Sequence, residues 1–252
     1  MPKDPRVKEP EGSTLDIVYR PVWEVERAPV DLFYAKPVLR LENGEEAPGF
    51  MPLVRLDTVE VTAKRQVKYL KQAFEALALR FERGERFRMM VRINSVAVAT
   101  SEAASDVTDT FRLLSPEQRR HVVVEVSDFP KNLSVDNMDD ITIVLMPFFD
   151  TIVARPAQDM TDYTLFANLN YAGVVLDLGD KALDLKLAGQ LFKLFASRAE
   201  FRRLPMWILG LPNQQIAKLA RISQAAALSG AYMDADSMLP GPVIEGNQPF
   251  MV

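Results

Sequence analysis

The sequence holds few of the side chains from which a nucleophile or a metal centre is assembled. There is one histidine, His121, and no cysteine. Thiol catalysis, thiolate zinc sites and a disulfide scaffold are therefore excluded, and imidazole metal clusters and a Ser-His-Asp relay lack their parts. His121 stands directly before Val122-Val123-Val124 and is read as a residue at a strand entrance. No Gly-rich turn of the kind that cradles phosphates opens a strand-helix unit. Thirty basic against 34 acidic residues give a formal charge of -4. With no basic block and no aromatic-plus-Arg cluster to follow a phosphate backbone, nucleic acid is excluded as a partner. Such a chain is expected to bind rather than to catalyse.

The elements that would position a binding site follow from periodicity. The chain has 252 residues and 48% hydrophobic content, ample for a buried core. Short β-type runs are expected at Ile17 to Val25, Leu32 to Leu41, Phe87 to Ile93, His121 to Val126, Thr151 to Ala154, Gly173 to Leu178, Met206 to Leu209 and Ala227 to Tyr232. Helical patterns alternate with them. The clearest runs from Val61 to Arg83, with Val67, Leu70, Phe74, Leu77 and Phe81 on one face and Gly84 closing it. A short helix begins at Ser115-Pro116-Glu117-Gln118, where an N-cap, a first-position proline and a third-position glutamine agree. Others are expected at Val135 to Leu145, Thr161 to Asn168, Lys181 to Ala199 and Asn213 to Ser223.

Eight strands alternating with helices over this length predict an α/β fold, a TIM-type barrel. The short Glu26-Arg27-Ala28-Pro29 connection makes the first strand antiparallel to the second. The expected organisation is a disordered leader or linker over 1–14, a barrel domain over 15–240 and a C-terminal tail over 241–252. The polar start and the lack of an apolar run of roughly 18 residues argue against a signal or a membrane span, and the reading is of a cytoplasmic protein.

Several strings, in their order and spacing, resemble the EAL domain family, barrel phosphodiesterases of the bacterial second messenger cyclic di-GMP. Tyr19-Arg20-Pro21-Val22 is similar to the family's opening aromatic-Gln-Pro strand, and Lys36-Pro37-Val38-Leu39-Arg40 lies where the Glu-Ala-Leu-Leu-Arg signature belongs. Ile93-Asn94-Ser95-Val96 falls at the Val-Asn-Leu-Ser strand end, Val124-Glu125-Val126-Ser127-Asp128 at Leu-Glu-Ile-Thr-Glu, and Val174-Val175-Leu176-Asp177 at Leu-Lys-Ile-Asp. Ile208-Leu209-Gly210-Leu211-Pro212 stands at Ala-Glu-Gly-Val-Glu. The resemblance implies an EAL-like barrel. It also implies a site at the C-terminal strand ends where carboxylates and an Asn hold divalent ions that activate water.

The departures from the family are concentrated in that implied site. Lys36 replaces the signature Glu, Ala154-Arg155-Pro156-Ala157 replaces the paired aspartates, Val175 replaces a Lys, Leu209 a Glu and Ser229 a Gln. What the resemblance leaves is a vestigial ligand pocket of Lys36, Arg40, Asn94, Glu125 and Asp177, with no catalytic residue, metal or cofactor expected. The same Glu125 and Asp177 could instead pair with Lys36 or Arg155 in a salt-bridged barrel mouth. The expected function is that of an inactive, degenerate EAL-like scaffold with a protein partner in bacterial signalling, motility or surface attachment. The alternative is a receptor that binds cyclic di-GMP without cutting it. A barrel enzyme of other specificity lacks a nucleophile-base pair. The family's habit of dimerising implies a homodimer, and the stretch Met233 to Pro240 with the tail Gln248 to Val252 is a candidate interaction surface.

Overall fold

The computed structural model describes residues 12–46, 58–130 and 132–244. Eight strands close a barrel in chain order: β1 (Thr14–Glu24), β2 (Leu32–Arg40), β3 (Arg88–Asn94), β4 (Val122–Ser127), β5 (Thr151–Ala154), β6 (Gly173–Asp177), β7 (Met206–Leu209) and β8 (Ala227–Leu228). Between them lie helices α1 (Val59–Glu82), α2 (Ser101–Phe111), α3 (Pro116–Arg119), α4 (Val135–Leu145), α5 (Thr164–Asn168), α6 (Leu185–Glu200) and α7 (Gln214–Ile222). Strand β1 runs antiparallel to β2 and β8, and the remaining pairs are parallel. This is the TIM-type α/β barrel with an antiparallel first strand that periodicity predicts.

Strand alternation divides the core in two. Val22, Leu32, Tyr34, Met90, Val123, Val153, Val175, Trp207 and Leu209 pack together inside the barrel. Their chain neighbours Phe33, Ala35, Met89, Val91, Val124 and Ile208 pack outward with the helices, where Leu70, Phe74 and Leu77 of α1 are fully buried.

Helix α1 also completes the sheet. Strands β2 and β3 pair only from Leu32 to Tyr34 against Arg88 to Met90, although β3 continues to Asn94. Above that point buried α1 side chains take over the backbone groups. The Tyr69 hydroxyl donates to the Ala35 carbonyl at 2.6 Å and accepts from the Arg92 amide at 3.1 Å. The Gln66 amide donates to the Arg92 carbonyl at 2.8 Å and accepts from the Asn94 N–H at 3.0 Å. Buried backbone groups need such partners.

Several boundaries differ from the sequence expectation for local reasons. Helix α2 was not expected, because Ser, Asp and Thr dominate it and are poor helix formers; the Thr100 side chain caps it by accepting from the Ala103 N–H. Helix α6 starts at Leu185 rather than Lys181 because Asp184 caps the Lys186 and Leu187 amides. Helix α5 starts at Thr164 rather than Thr161, behind a turn in which Asp162 accepts from the Thr164 amide. The last strand stops at Leu228, since Ser229 and Gly230 turn against Leu211, whose backbone a Cβ at position 230 would meet at 2.3 Å. Strand β1 begins at Thr14, within the expected leader, and the bridge between Val30 and Ile244 holds part of the expected tail against the barrel. Residues 1–11 and 245–252 lie outside the described residues.

Replacing Tyr69 with Phe removes the partner of the Ala35 carbonyl and of the Arg92 amide while keeping the ring's packing. At about 1–3 kcal/mol for each buried group left unpaired, the expected loss is roughly 2–6 kcal/mol in urea denaturation. An unchanged midpoint would show that the two strands do not depend on this bridge.

Candidate functional site

The inner apolar cluster is a floor, and charge is stacked directly on it. Arg92, Glu125, Arg155 and Asp177 each follow by two residues a member of that cluster, Met90, Val123, Val153 and Val175 respectively. Lys36 follows Tyr34 in the same way, and Arg20 precedes Val22 on the antiparallel strand. A two-residue step keeps a side chain on the same face, so all six enter the barrel from the C-terminal ends of its parallel strands. The apolar Val175 and Leu209 belong to the floor, and Ser229 is buried and spends its hydroxyl on the Pro21 carbonyl at 2.7 Å.

The centre of this layer is Arg155. Its Nε donates to Glu125 Oε1 and its Nη1 donates to Asp177 Oδ2 at 2.7 Å. Glu125 is fully buried. Its Oε2 and the Nη2 of Arg155 have no hydrogen-bond partner among the described residues. Arg92, beside Glu125 in the strand register, donates to Ser127 Oγ at 2.7 Å and to Asp128 Oδ2 at 2.9 Å. Asn94 donates to Asp128 at 3.3 Å and accepts from the Val96 amide, capping a short 3-10 turn over Ser95–Val98.

A second cluster adjoins the first. Arg20, only 5% exposed, donates through Nε and Nη2 to the two oxygens of Asp236 and through Nη1 to both oxygens of Asp180. Lys36 Nζ stands 3.5 Å from Asp180, 3.6 Å from Asp236 and 3.7 Å from Glu46. The loop carrying Asp180 is held by Gly210, whose φ of +69° and 2.5 Å approach of a hypothetical Cβ to the Gly179 nitrogen exclude a side chain.

The five residues expected in one pocket therefore separate. Glu125 and Asp177 are joined through Arg155, as the salt-bridged alternative has it, with Asn94 at their margin. Lys36 belongs to the Arg20 cluster and forms no ion pair with Glu125 or Asp177. Arg40 lies at the rim, paired with Asp16 at 2.7 Å and with the Gly44 carbonyl, because it stands four residues beyond Lys36 at the end of β2. Arg20, Arg92, Asp128, Asp180 and Asp236 were not expected. A charge inside an apolar strand run, as in Met90-Val91-Arg92-Ile93, is the signal that points to the first two.

Electrostatics follows from burial and pairing. Burial lifts the Glu125 carboxyl above its ordinary range, which the Arg155 and Arg92 charges only partly oppose. At Asp177 burial acts in the same direction but is outweighed by Arg155 and by the Gly179 N–H, so that carboxyl is held low. Burial pulls the Arg20 guanidinium down, and its bonds to Asp236 and Asp180 more than reverse this.

No protein-family model matches the sequence, and no curated protein matches it in sequence. Solved structures do match. The PaMucR phosphodiesterase in its c-di-GMP complex superposes with a TM-score of 0.70 at 16% identity, over 90% of this chain and 92% of that one. The Xanthomonas citri FimX EAL domain in complex with c-diGMP gives 0.62 at 16% identity, over 94% and 91%. The Bacillus subtilis YkuI protein, with an EAL domain and in complex with substrate c-di-GMP and calcium, gives 0.63 at 12% identity, over 89% of this chain and 55% of that one. The chain has the EAL fold.

The divalent ions that the EAL fold implies do not fit the donors present at this barrel mouth. Glu125 and Asp177 already hold a guanidinium between them, and Lys36 adds a second fixed cation where hard ions require oxygen. Among the described residues no three of His, Cys, Asp and Glu converge as metal ligands. No helix among them is long and apolar enough to cross a membrane.

Replacing Arg155 with Met leaves the fully buried Glu125 and the half-buried Asp177 without their shared cation, at an expected cost of about 3–5 kcal/mol. Glu125 then feels burial and the Asp177 charge with less opposition, so its folded-state pKa rises further above the unfolded one. A carboxyl shifted in that direction favours the fold below the ordinary carboxylate range and loses that contribution as pH rises. The variant's stability, measured by urea denaturation at pH 5 and pH 8, is therefore expected to fall between the two values more steeply than the parent's. A variant as stable as the parent at both values would remove Arg155 from the centre of the site.

Proposed function

We propose that this protein is a non-hydrolysing EAL-fold module that acts through protein contacts in a cyclic di-GMP signalling pathway of bacterial motility or surface attachment. The observation that carries this reading is the Arg155 guanidinium bonded to both Glu125 and Asp177. Two-metal hydrolysis needs oxygen ligands free to bind cations and a water beside them, and here a side chain of the protein supplies the positive charge and offers no water to activate. Lys36, on β2, adds a further fixed cation at the same mouth. The link to cyclic di-GMP is supported by the matched EAL structures that contain it. A homodimer and a cytoplasmic location belong to the same reading.

A second reading, a receptor that holds cyclic di-GMP intact, draws on the buried Glu125 Oε2 and Arg155 Nη2, which leave an acceptor and a donor at the mouth without partners in the described residues. Arg40 and Lys36, the two cations of the expected pocket, are engaged by carboxylates.

Incubation of the purified protein with cyclic di-GMP and Mg²⁺ or Mn²⁺, followed by chromatography, is expected to yield no linear dinucleotide above a protein-free blank. Turnover would overturn the proposal. Calorimetric titration of the same mixture separates the two readings, heat of binding without product favouring the receptor.

A further inference from the structure

No helix follows β8 among the described residues. The chain returns instead along β1, held at a few points. Ser237 and Tyr19 exchange two backbone hydrogen bonds at 2.8 and 3.0 Å, Arg80 Nη2 donates to the Pro240 carbonyl at 2.7 Å, and Ile244 and Val30 exchange bonds of 2.9 and 3.1 Å. Between these points Met238 and Leu239 are more than half exposed. Arg40 Nη2 donates to Met238 Sδ at 3.1 Å, and from Asp234 to Ile244 only Pro240 is buried; a segment so exposed opens locally at lower free energy than the barrel.

Two residues tie the chain beyond β8 to the barrel mouth: the Ala231 N–H donates to Asp180 Oδ1 at 3.1 Å, and beyond it Asp236 is the side chain that reaches in. Its two oxygens face Nε and Nη2 of Arg20, and its carboxylate lies 3.6 Å from Lys36 Nζ. That edge of the guanidinium presents two parallel N–H groups, the arrangement that also accepts two oxygens of a phosphate. The other donor, Nη1, is held by both oxygens of Asp180, which is fixed in turn by the Ala231 N–H and does not depend on a bond to Asp236. If Asp236 leaves, Arg20 stays positioned and its paired N–H edge and Lys36 face the mouth together.

We propose that residues 235–244 form a displaceable strap whose Asp236 carboxylate occupies the seat of a phosphate group on Arg20 and Lys36. The ligand class is a small phosphate-bearing anion, which must displace the strap to bind. The inference goes beyond the absence of hydrolysis and stands apart from it, since neither Arg20 nor Asp236 touches the Glu125–Arg155–Asp177 group through any bond described above.

The test uses the full chain with inorganic pyrophosphate as probe. Asp236→Asn removes the competing charge and keeps the side chain's shape. By calorimetry it is expected to bind pyrophosphate about tenfold more tightly than the parent, the difference of roughly one charge-assisted hydrogen bond. Adding Lys36→Ala to that variant is expected to abolish the gain. In the parent, saturating pyrophosphate is expected to speed hydrogen exchange at the Ser237 and Tyr19 amides. Equal affinities of parent and variant, or a gain that survives Lys36→Ala, overturn the proposal. Should Asp236→Asn fail to fold, unchanged exchange at those two amides in the parent overturns it as well.

Discussion

A closed eight-stranded barrel has to fill its interior with its own side chains, and here the fill changes from hydrocarbon to charge within one two-residue step. Above Met90, Val123, Val153 and Val175 stand Arg92, Glu125, Arg155 and Asp177. Charges at that depth are tolerated only when paired and hydrogen-bonded. That requirement sets the geometry of the mouth. Arg155 must reach both carboxylates, Arg92 must find Ser127 and Asp128, and Arg20 must find Asp180 and Asp236. Neutralisation inside the barrel thus joins strands β3 to β6, and separately joins β1 to the loop after β6 and to the chain beyond β8.

Much of the fold was legible because strand and helix periods differ and because the barrel keeps them cleanly apart. All eight strands were visible as β-type runs, and the Ser115-Pro116-Glu117-Gln118 start gives a capping box in the structure. Helix α2 was not legible, because its Ser, Thr and Asp residues favour caps and turns and it is held by packing on α1. The β2–β3 junction was not legible either. Gln66 and Tyr69 read as ordinary residues of an amphipathic helix, and only the folded chain shows them serving as substitutes for backbone partners.

The site was legible at the level of pairs and illegible at the level of clusters. Arg155 stands out in sequence as a cation where the resemblance implies aspartates, and its pairing with Glu125 and Asp177 is one of the arrangements that the sequence leaves open. Lys36 could not be assigned in that way. Asp180 and Asp236 lie 144 and 200 positions from it along the chain, and sequence spacing carries no information about a meeting across loops. Met233 to Pro240, expected as a surface for a partner, bonds in part to its own barrel through Asp236, Ser237 and Pro240.

The two clusters differ in what holds them, and this separates their roles. The Glu125–Arg155–Asp177 group sits at the ends of β4, β5 and β6, where Glu125 is paired with strands on both sides, Asp177 with β7, and the Arg155 amide donates to the Val126 carbonyl. An Arg fork seated between two such strand ends has little freedom to re-pair. The Arg20–Lys36 group has only its cations on strands. Its carboxylates come from Asp180, on a left-handed turn after β6, and from Asp236, on a segment with exposed neighbours. Lys36 meets them at 3.5 and 3.6 Å, longer than the bonds Arg155 makes, as expected of a flexible point charge rather than a planar fork. Any change of state at this mouth therefore begins on the Asp236 side, while the Arg155 side keeps the barrel in register.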